Sequence, residues 1–497
     1  MEEYILAIDQ GTTSTRAVVF DRQGKVRAMS QREVSLNYPK PGWVEADAAE
    51  IWISVVYTMI DLVRNQQIDP KAICGIGITN QRETTVIWDK RTGVPIYPAI
   101  VWQSVQTADI CQELRTEGAE ELILKKTGLK LNPYFSASKI RWILDTQEGA
   151  REKAERGDLL FGTIDSWLVY RMTNQLHVTD YSNASRTMLF NIHTLSWDPE
   201  LLRMFRIPET MLPEVKNSSE IYGMTAPYHF FGLEVPVAGI AGDQQAALFG
   251  HRCFAKGKAK NTYGTGCFLL MNAGDTPIIS EQGLVTTIGW GLDGKITYAL
   301  EGSIFSAGSA IQWLRDGLQI IDSVGESEEL AESVEDSGGV YMVPAFTGMG
   351  APYWEDKMKC TLLGITRGSN KAHIARAALE SIAYQTREVM EAMHKDSQMK
   401  LSSLAVDGGA SKNQLLMQFQ SDILGKKVIR SECVEMTALG AAFLAGLAVG
   451  FWENTKELET LKIPESSFFP TLPEEEKESK FAKWKMAVQA ARVFQGE

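Results

Sequence analysis

The chain has 497 residues, 44% of them hydrophobic, and a formal net charge of −12. This length exceeds what one hydrophobic core usually serves, so the composition predicts two domains. The acidic balance argues against a nucleic-acid-binding protein and against a protein that binds an anionic membrane surface.

The sequence carries no pattern typical of secretion or membrane insertion. Its first residues, Met1-Glu2-Glu3, lack the basic start of a signal peptide. The longest uncharged apolar stretch, 438–452, is too short to span a membrane and contains three glycines, so it predicts a buried helix. The six cysteines are scattered, which favours reduced thiols over disulfides or a zinc site. We therefore expect a cytoplasmic protein without an integral membrane segment.

The opening stretch, 4–21, predicts a β-hairpin with a polar tip. Two apolar runs, 4–8 and 17–20, flank Asp9-Gln10-Gly11 and four hydroxyl residues. Backbone N–H groups at Gly11 and the guanidinium of Arg16 suit phosphate oxygens, whereas the Asp9 carboxylate would repel them unless a cation lay between. This stretch alone fits a phosphate site with Mg²⁺ and an ordinary polar turn equally well.

A second polar turn occurs in the stretch 235–250, which predicts a strand, a tight turn and the start of a helix. Asp243 lies at this turn. One interpretation is a structural N-cap, and the other is a catalytic base in a cleft between domains. Both can hold, although a helix N-terminus stabilises a carboxylate and so weakens it as a base.

The second half of the chain repeats the opening pattern. Residues 260–271 place Gly264-Thr265-Gly266 between apolar arms, and a further turn, Asp407-Gly408-Gly409, opens a helix. Adjacent glycines let a flat ring approach the backbone, and Asn413 offers an amide to an adenine edge or ribose. Two phosphate-type hairpins, one starting each half, indicate a duplicated domain with a ligand between the copies.

This organisation resembles the superfamily of actin, hexokinase and the heat-shock chaperone ATPases. The resemblance implies an α/β fold with two duplicated, ribonuclease H-like domains and a deep cleft between them. We expect the domains to comprise residues 1–250 and 251–497, the first binding substrate and phosphate and the second binding the nucleotide.

Seven motifs occur in a consistent order over nearly the whole chain. They are Asp9-Gln-Gly-Thr-Thr-Ser, Gly77-Ile-Thr-Asn-Gln-Arg82-Glu83-Thr, Trp102-Gln103, Gly242-Asp243-Gln-Gln, Asn261-Thr-Tyr-Gly-Thr-Gly, Gly308-Ser-Ala-Ile-Gln312-Trp and Asp407-Gly-Gly. Each is weak alone, but together they closely resemble the glycerol kinases of the FGGY carbohydrate kinase family. The resemblance implies phosphorylation of glycerol to sn-glycerol 3-phosphate, with ATP and Mg²⁺ as cofactors.

The resemblance also implies a role for individual residues. The catalytic base would be Asp243, and Asp9 would hold Mg²⁺ through water. The expected glycerol-binding residues are Arg82, Glu83, Trp102, Tyr134, Asp243, Gln244 and Phe268. The expected nucleotide-binding residues are Thr12, Thr13, Ser14, Arg16, Thr265, Gly308, Gln312, Gly409 and Asn413.

A regulatory site and an assembly are implied in the same way. The stretch Tyr228-His229-Phe230-Phe231-Gly232, predicted to be an exposed loop, is similar to a His-Phe-Tyr-Gly loop of glycerol kinases. In those kinases the phosphocarrier protein of the sugar phosphotransferase system phosphorylates the histidine. Phe231 replaces the tyrosine of that pattern, so the alternative is a loop histidine beside packing aromatics. The resemblance further implies a homodimer or homotetramer.

Three other functions fit parts of the sequence. Another FGGY kinase, acting on a sugar such as xylulose, shares the motifs, although Arg82-Glu83 with Trp102 argues against it. An actin-like or chaperone-like ATPase shares the nucleotide motifs but needs no polyol pocket. An inactive relative kept as a binding protein is the third alternative.

Overall fold

The first half of the chain is built on a six-stranded mixed sheet, seen in a computed structural model that describes residues 2–494. Its strands are β1 (Tyr4–Gln10), β2 (Ser14–Phe20), β3 (Val26–Glu33), β4 (Ile73–Asn80), β5 (Ser219–Met224) and β6 (Pro236–Gly242). Their order across the sheet is β5-β6-β4-β1-β2-β3. Strands β1 and β2 pair antiparallel, which confirms the predicted opening hairpin, and β4 runs parallel to both β1 and β6.

The second half is built on a seven-stranded mixed sheet. Its strands are β7 (Ala259–Tyr263), β8 (Cys267–Gly274), β9 (Val285–Leu292), β10 (Lys295–Ile304), β11 (Ser403–Asp407), β12 (Lys427–Ser431) and β13 (Glu465–Phe468). Their order is β9-β10-β8-β7-β11-β12-β13. The hairpin predicted around residues 260–271 is therefore confirmed as β7 and β8.

The two sheets share one five-stranded core. In each, three antiparallel strands are followed by two parallel ones, in the orders β3-β2-β1-β4-β6 and β10-β8-β7-β11-β12. This common topology confirms the predicted α/β fold with a duplicated domain. Because parallel strands of one sheet end at the same edge, each domain gathers its strand-end loops on one side.

Helices cover both sheets. Those of residues 2–494 are α1 (Ala48–Arg64), α2 (Ala108–Thr116), α3 (Glu120–Thr127), α4 (Ser136–Thr146), α5 (Ala150–Glu155), α6 (Ile164–Met172), α7 (Tyr181–Ala184), α8 (Pro199–Phe205), α9 (Asp243–Gly250), α10 (Gly308–Asp316), α11 (Glu326–Glu332), α12 (Lys371–Ser397), α13 (Gln414–Leu424), α14 (Met436–Ala448), α15 (Thr455–Thr460) and α16 (Glu474–Val493).

Short strands form small ribbons outside the two main sheets. They are Leu36–Asn37, Glu45–Ala46, Val86–Asp89, Ala99–Ile100, Leu159–Gly162, Val178–Asp180, Phe190–Asn191, Ser196–Trp197, Glu214–Lys216, Tyr341–Val343 and Thr361–Leu363. Within residues 2–494, no helix is both long and apolar enough to cross a bilayer.

Helix α14 joins the two halves. The sequence predicts a buried helix here, and the structure confirms it. Although α14 belongs to the second half, it packs on β4, β6 and α9 of the first. Glycines permit this close approach: an added Cβ would lie 2.2 Å from the Ala441 carbonyl oxygen at Gly77, and 1.8 Å from the Ala246 carbonyl oxygen at Gly440. The helix therefore rests directly on backbone of the first half.

We expect Gly440→Ala to destabilise the protein, even though alanine favours a helix over glycine by roughly 1 kcal/mol. The added methyl group forces α14 away from α9, and overpacking of this kind costs about 1–3 kcal/mol. Thermal unfolding followed by circular dichroism measures the change. Gly325→Ala is the control, because its Cβ would meet nothing closer than 3.9 Å. A Gly440→Ala protein as stable as this control would contradict the packing.

Candidate active site

Two adjacent strand ends supply the first pair of site residues. Strand β4 ends just before Gln81-Arg82-Glu83, and β6 ends just before Asp243. Because β4 and β6 are parallel neighbours, these residues emerge at the same edge, and Arg82 Nε lies 3.3 Å from Asp243 Oδ1. The structure thus brings together Arg82 and Asp243, which are 161 positions apart by their residue numbers.

Asp243 is the first residue of α9, and Gly242 occupies the N-cap position. The interpretation of Asp243 as the N-cap is therefore wrong. Its Oδ1 accepts a hydrogen bond from the backbone N–H of the next residue at 2.7 Å. The side chain retains 30% of its exposure, whereas that of Arg82 retains 2%. A bound molecule can therefore reach the carboxylate.

Four buried charged side chains lie behind this pair: Arg82, Glu83, Arg186 and Glu301. Arg82 donates to both carboxylate oxygens of Glu301, at 2.5 and 3.0 Å. Arg186 donates to Glu83 at 2.6 Å and to Glu301 at 3.1 Å. We call these residues the charge cluster. Its two positive and two negative charges balance, which a buried site requires.

The electrostatics of the cluster follow from burial and pairing. Burial would raise the pKa of Glu301, but Arg186 and Arg82 lower it to about 2. For Glu83 burial prevails over the two arginines and raises the pKa. Against burial, Glu301 and Glu83 raise the pKa of Arg82. Glu301 is therefore a permanent anion between two permanent cations.

Sequence reasoning missed Arg186 and Glu301. Arg186 lies in a polar stretch, 181–187, that matches no motif. Glu301 could have been recognised from the sequence, because it is an acidic residue in the mostly apolar second half of β10. A charge buried in such a strand needs a buried partner of opposite charge. The partner itself comes from the other half and cannot be read from local sequence.

The backbone at Glu83 is strained. Its φ of 61° lies in the left-handed region, which non-glycine residues rarely adopt. Ser136 Oγ donates to the Glu83 carbonyl at 3.0 Å, and Arg186 holds the carboxylate. Strain of roughly 1–3 kcal/mol persists only where surrounding contacts enforce it, and it concentrates at ligand sites.

Three half-buried aromatic side chains stand beside the cluster. The ring centroid of Trp102 lies 5.6 Å from that of Tyr134 and 6.3 Å from that of Phe268. Tyr134 Oη is 3.5 Å from Arg82 Nη2. Trp102 Nε1 donates to Thr12 Oγ1 at 2.9 Å, which connects this wall to the tip of the first hairpin. Polar groups that converge between aromatic walls suit a small hydroxylated molecule.

A buried lysine supports the same wall from the second half. Lys260, on β7, donates to Gln244 Oε1 at 2.5 Å and to the Phe268 carbonyl at 3.2 Å. Burial lowers its pKa to about 8. Lys260 therefore fixes two residues that the sequence predicts to bind substrate, and sequence reasoning had assigned it no role.

The tips of the two hairpins hold the predicted phosphate-binding residues. At the first tip, Gly11 N–H donates to the Ser14 carbonyl at 2.9 Å, Thr12 is half-buried and Thr13 is exposed. Arg16, on β2, is half-buried beside them. These groups remain accessible to a ligand.

The second tip contacts the start of α10. The Gly308 N–H donates to the Gly264 carbonyl at 3.0 Å, and the Ser309 N–H to the Thr265 carbonyl at 3.1 Å. A Cβ at position 308 would lie 2.6 Å from the Gly264 oxygen, so only glycine fits. Gln312 lies exposed one turn further along α10.

The third glycine turn lies at the same edge. Strand β11 is parallel to β7, and Asp407 pairs with Thr262. Gly409 is exposed, and a Cβ there would meet no protein atom within 4 Å. Asn413 is the N-cap of α13 and uses its side-chain oxygen to accept from the Leu416 N–H at 2.7 Å. Its amide N–H₂ is the group that can serve a nucleotide.

Asp9 lies in a region of excess negative charge. Burial raises its pKa to about 7; Arg16 opposes the rise, and Glu435 and Asp243 add to it. Arg16 lies 3.7 Å from Asp9 and 3.8 Å from Glu435, so it is shared. Among residues 2–494, no group of three or more His, Cys, Asp or Glu side chains can hold a metal by itself. One buried carboxylate beside the predicted phosphate-binding tip nevertheless fits Mg²⁺, which keeps several waters and takes few protein ligands.

His229 lies in a short 3₁₀ turn, Pro227–His229. Its neighbour Tyr228 is 74% exposed, which agrees with the predicted exposed loop, but Phe230 is buried. The His229 ring is half-buried, 5.1 Å from the Trp52 ring. Burial and nearby Arg171 lower its pKa. The imidazole is therefore neutral at pH 7.

Duplicated α/β domains with a Gly/Thr hairpin tip in each, and a charged polar pocket at their junction, define a two-domain phosphotransferase of small hydroxylated molecules. The chain belongs to the FGGY family of carbohydrate kinases. The N-terminal domain of that family matches residues 4–250, and the C-terminal domain matches residues 259–449.

Relatives of the chain match it over their whole length. It is 58% identical to the glycerol kinase of Geobacillus sp. (strain WCH70), over 99% of this chain and 100% of that protein. It is 59% identical to the glycerol kinase of Oceanobacillus iheyensis, over 100% of this chain and 99% of that protein. The crystal structure of Plasmodium falciparum glycerol kinase with ADP superposes with a TM-score of 0.93 at 37% identity, covering 99% of this chain and 98% of that one.

We expect Asp9→Asn to stabilise the ligand-free protein at pH 8. The folded-state pKa of about 7 lies above the ordinary value of 3.8, so ionised Asp9 opposes folding above pH 7, and the penalty fades as the pH falls toward 4. Replacing this carboxylate should therefore raise the free energy of unfolding by up to about 4 kcal/mol at pH 8 and by less at pH 5. Melting temperatures at both pH values measure this. Asp109→Asn, in the first turn of α2, is the exposed control. An unchanged or lower melting temperature at pH 8 would contradict the burial of Asp9.

Proposed function

We propose that this protein catalyses the ATP-dependent phosphorylation of glycerol to sn-glycerol 3-phosphate. The observation that carries this proposal is the pair formed by Arg82 and the accessible Asp243, 3.3 Å apart and walled by aromatic rings. Full-length relatives named glycerol kinase, at 58% and 59% identity, support it.

The pocket suits a three-carbon triol. Arg82 donates to the glycerol hydroxyl groups, and Glu83 and Asp243 accept from them. Tyr134 and Gln244 add further hydrogen-bonding groups. Trp102 and Phe268 cover the apolar edge of the carbon chain and exclude water. An acceptor hydroxyl held beside Asp243 is protected from competition by water.

The nucleotide is held by groups from both domains. Thr12, Thr13, Ser14 and Arg16 of the first domain and Thr265 of the second bind the phosphates. The remaining nucleotide contacts come from Gly308, Gln312, Gly409 and Asn413. We assign the glycerol pocket mainly to residues 1–250 and the nucleotide site mainly to residues 251–497, with Phe268 as a contribution of the second domain to the pocket.

The reaction is an in-line transfer of the γ-phosphoryl group to a primary hydroxyl. Asp243 orients this hydroxyl and takes its proton as the oxygen–phosphorus bond forms, while ADP leaves with the bridging oxygen. Because the transition state is loose, positioning and neutralisation of charge supply most of the rate, and a weak base suffices. Asp9 would hold Mg²⁺ through water, and the ion would neutralise phosphate charge.

We expect ADP release to depend on glycerol. In Asp243→Asn its rate should fall at least about 100-fold, because proton transfer to a positioned side chain accelerates a reaction by a factor of roughly 10²–10⁴. A coupled assay with ATP and Mg²⁺, with and without glycerol, measures both effects. ATP binding, followed by thermal shift, should persist in the variant, and Asp109→Asn serves as the control of normal activity.

Two results would reject parts of this proposal. Glycerol-independent ATP hydrolysis would favour an actin-like or chaperone-like ATPase, and near-normal turnover of Asp243→Asn would remove Asp243 from the role of base. A panel with glycerol, xylulose and other polyols decides between substrates of the family.

We further propose that phosphorylation of His229 by the phosphocarrier protein of the sugar phosphotransferase system regulates the enzyme. A lowered pKa keeps the imidazole neutral and nucleophilic at pH 7. The Arg171 guanidinium, 5.6 Å from the Trp52 ring that His229 also contacts, offers a counter-charge to a phosphoryl group.

We expect the phosphorylated carrier to transfer radiolabelled phosphate to this protein but not to His229→Ala. His193→Ala is the matched control, since His193 is a second, exposed histidine of the first domain and its loss should leave labelling intact. Labelling that survives His229→Ala, or absence of labelling of the natural protein, would end the proposal.

A further inference from the structure

The Arg82 side chain is held mainly by the opposite half of the molecule. Arg82 follows β4 of the first domain, whereas Glu301 lies on β10 of the second. Their two hydrogen bonds, at 2.5 and 3.0 Å, form a bidentate pair. Bidentate carboxylate pairs fix the plane of a guanidinium as well as its position. The substrate-facing arginine of one domain is thus oriented by a carboxylate of the other.

The contacts of Arg82 determine which of its N–H groups can face the pocket. An arginine has five N–H groups in a rigid fork. Glu301 takes one from each terminal nitrogen, and Gln245 Oε1 accepts from Nη1 at 3.2 Å. The others are Nε, 3.3 Å from Asp243, and the second N–H of Nη2, whose nitrogen lies 3.5 Å from Tyr134 Oη. At 3.3 and 3.5 Å these two contacts are longer than the other three, so they are the ones that a ligand can most readily share.

Arg186 completes this arrangement. It donates to Glu301 at 3.1 Å and to Glu83 at 2.6 Å, so one guanidinium anchors both carboxylates of the charge cluster. The Arg186 side chain is fully buried and lies over the rings of Tyr134 and Phe135. Glu301 is therefore held from behind by Arg186 and faces Arg82 in a fixed geometry.

We infer that Glu301 is a positioning residue for the polyol substrate: it fixes the Arg82 fork so that the N–H groups of Nε and Nη2 lie beside Asp243 and Tyr134, on the substrate side. This inference rests on the proposed function and adds a residue of the second domain to the glycerol pocket. Glycerol affinity then depends on the contact between the domains.

The test is Glu301→Gln, which keeps the size of the side chain but removes its charge and one of the two acceptor oxygens. We expect the KM for glycerol to rise at least about tenfold, the equivalent of one lost charge-assisted hydrogen bond. The KM for ATP should change less than about twofold, because the nucleotide groups lie on the hairpin tips and the third glycine turn. A purely structural role would affect both substrates alike.

Glu380→Gln is the matched control. Glu380 is likewise a buried glutamate of the second half, paired with Arg376 at 2.8 Å, but it lies on α12. Both KM values should be unchanged in this variant. If Glu301→Gln shows no cooperative thermal transition, Glu301→Asp is used instead, because it retains the charge on a shorter side chain. The same selective rise in the KM for glycerol is expected for this variant.

The outcomes separate this inference from the proposed function. A natural protein that does not phosphorylate glycerol contradicts the function itself. An active natural protein whose Glu301 variant keeps its KM for glycerol within about twofold, or raises both KM values equally, overturns only the positioning role.

Discussion

The structure depends on the requirement that buried charges be paired. Arg82, Glu83, Arg186 and Glu301 lie at the junction of the two domains, and the shortest ion pairs among them join residues distant in sequence. Removal of one partner from such a group costs roughly 3–5 kcal/mol, a large part of the roughly 5–15 kcal/mol by which a domain is stable. The cluster therefore ties the ends of β4 and β10 together beside the proposed substrate pocket. Helix α14, seated on the glycines of the first domain, holds the same junction from behind.

Charge is distributed unequally along this junction. At the substrate end the positive and negative side chains of the cluster balance, so a neutral polyol can enter without an unpaired charge. At the predicted phosphate end Asp9 and Glu435 share the guanidinium of Arg16, and the nearby Asp243 adds to the negative charge around Asp9. This end is suited to a ligand that arrives with its own cation, as a nucleotide triphosphate with Mg²⁺ does. In the proposed binding mode, the two ends would discriminate between polyol and nucleotide by charge.

Local sequence predicts the features that depend on local physics. The two hairpins, the Asp407-Gly408-Gly409 turn and the buried helix at 438–452 follow from alternating apolar runs and glycine positions, and all are present. Helix α16 docks on the second domain, where Trp484 stacks on Tyr384 of α12 with ring centroids 5.2 Å apart. Arg186 and Glu301 could not be assigned roles, because their partners lie more than 100 positions away in sequence. Lys260 was missed because its contacts depend on how the side chains of β7, β8 and α9 pack. The N-cap of α9 lies one residue before Asp243, and a sequence pattern does not define the end of a helix to within one residue.

A crystal structure of the protein with glycerol and a non-hydrolysable ATP analogue tests the proposed active site most directly. We expect a primary hydroxyl of glycerol within hydrogen-bonding distance of Asp243 and of Arg82, with the terminal phosphorus of the analogue in line with that oxygen. Glycerol bound away from Asp243, or a nucleotide whose phosphates lie far from the tips at Thr12 and Thr265, would contradict it.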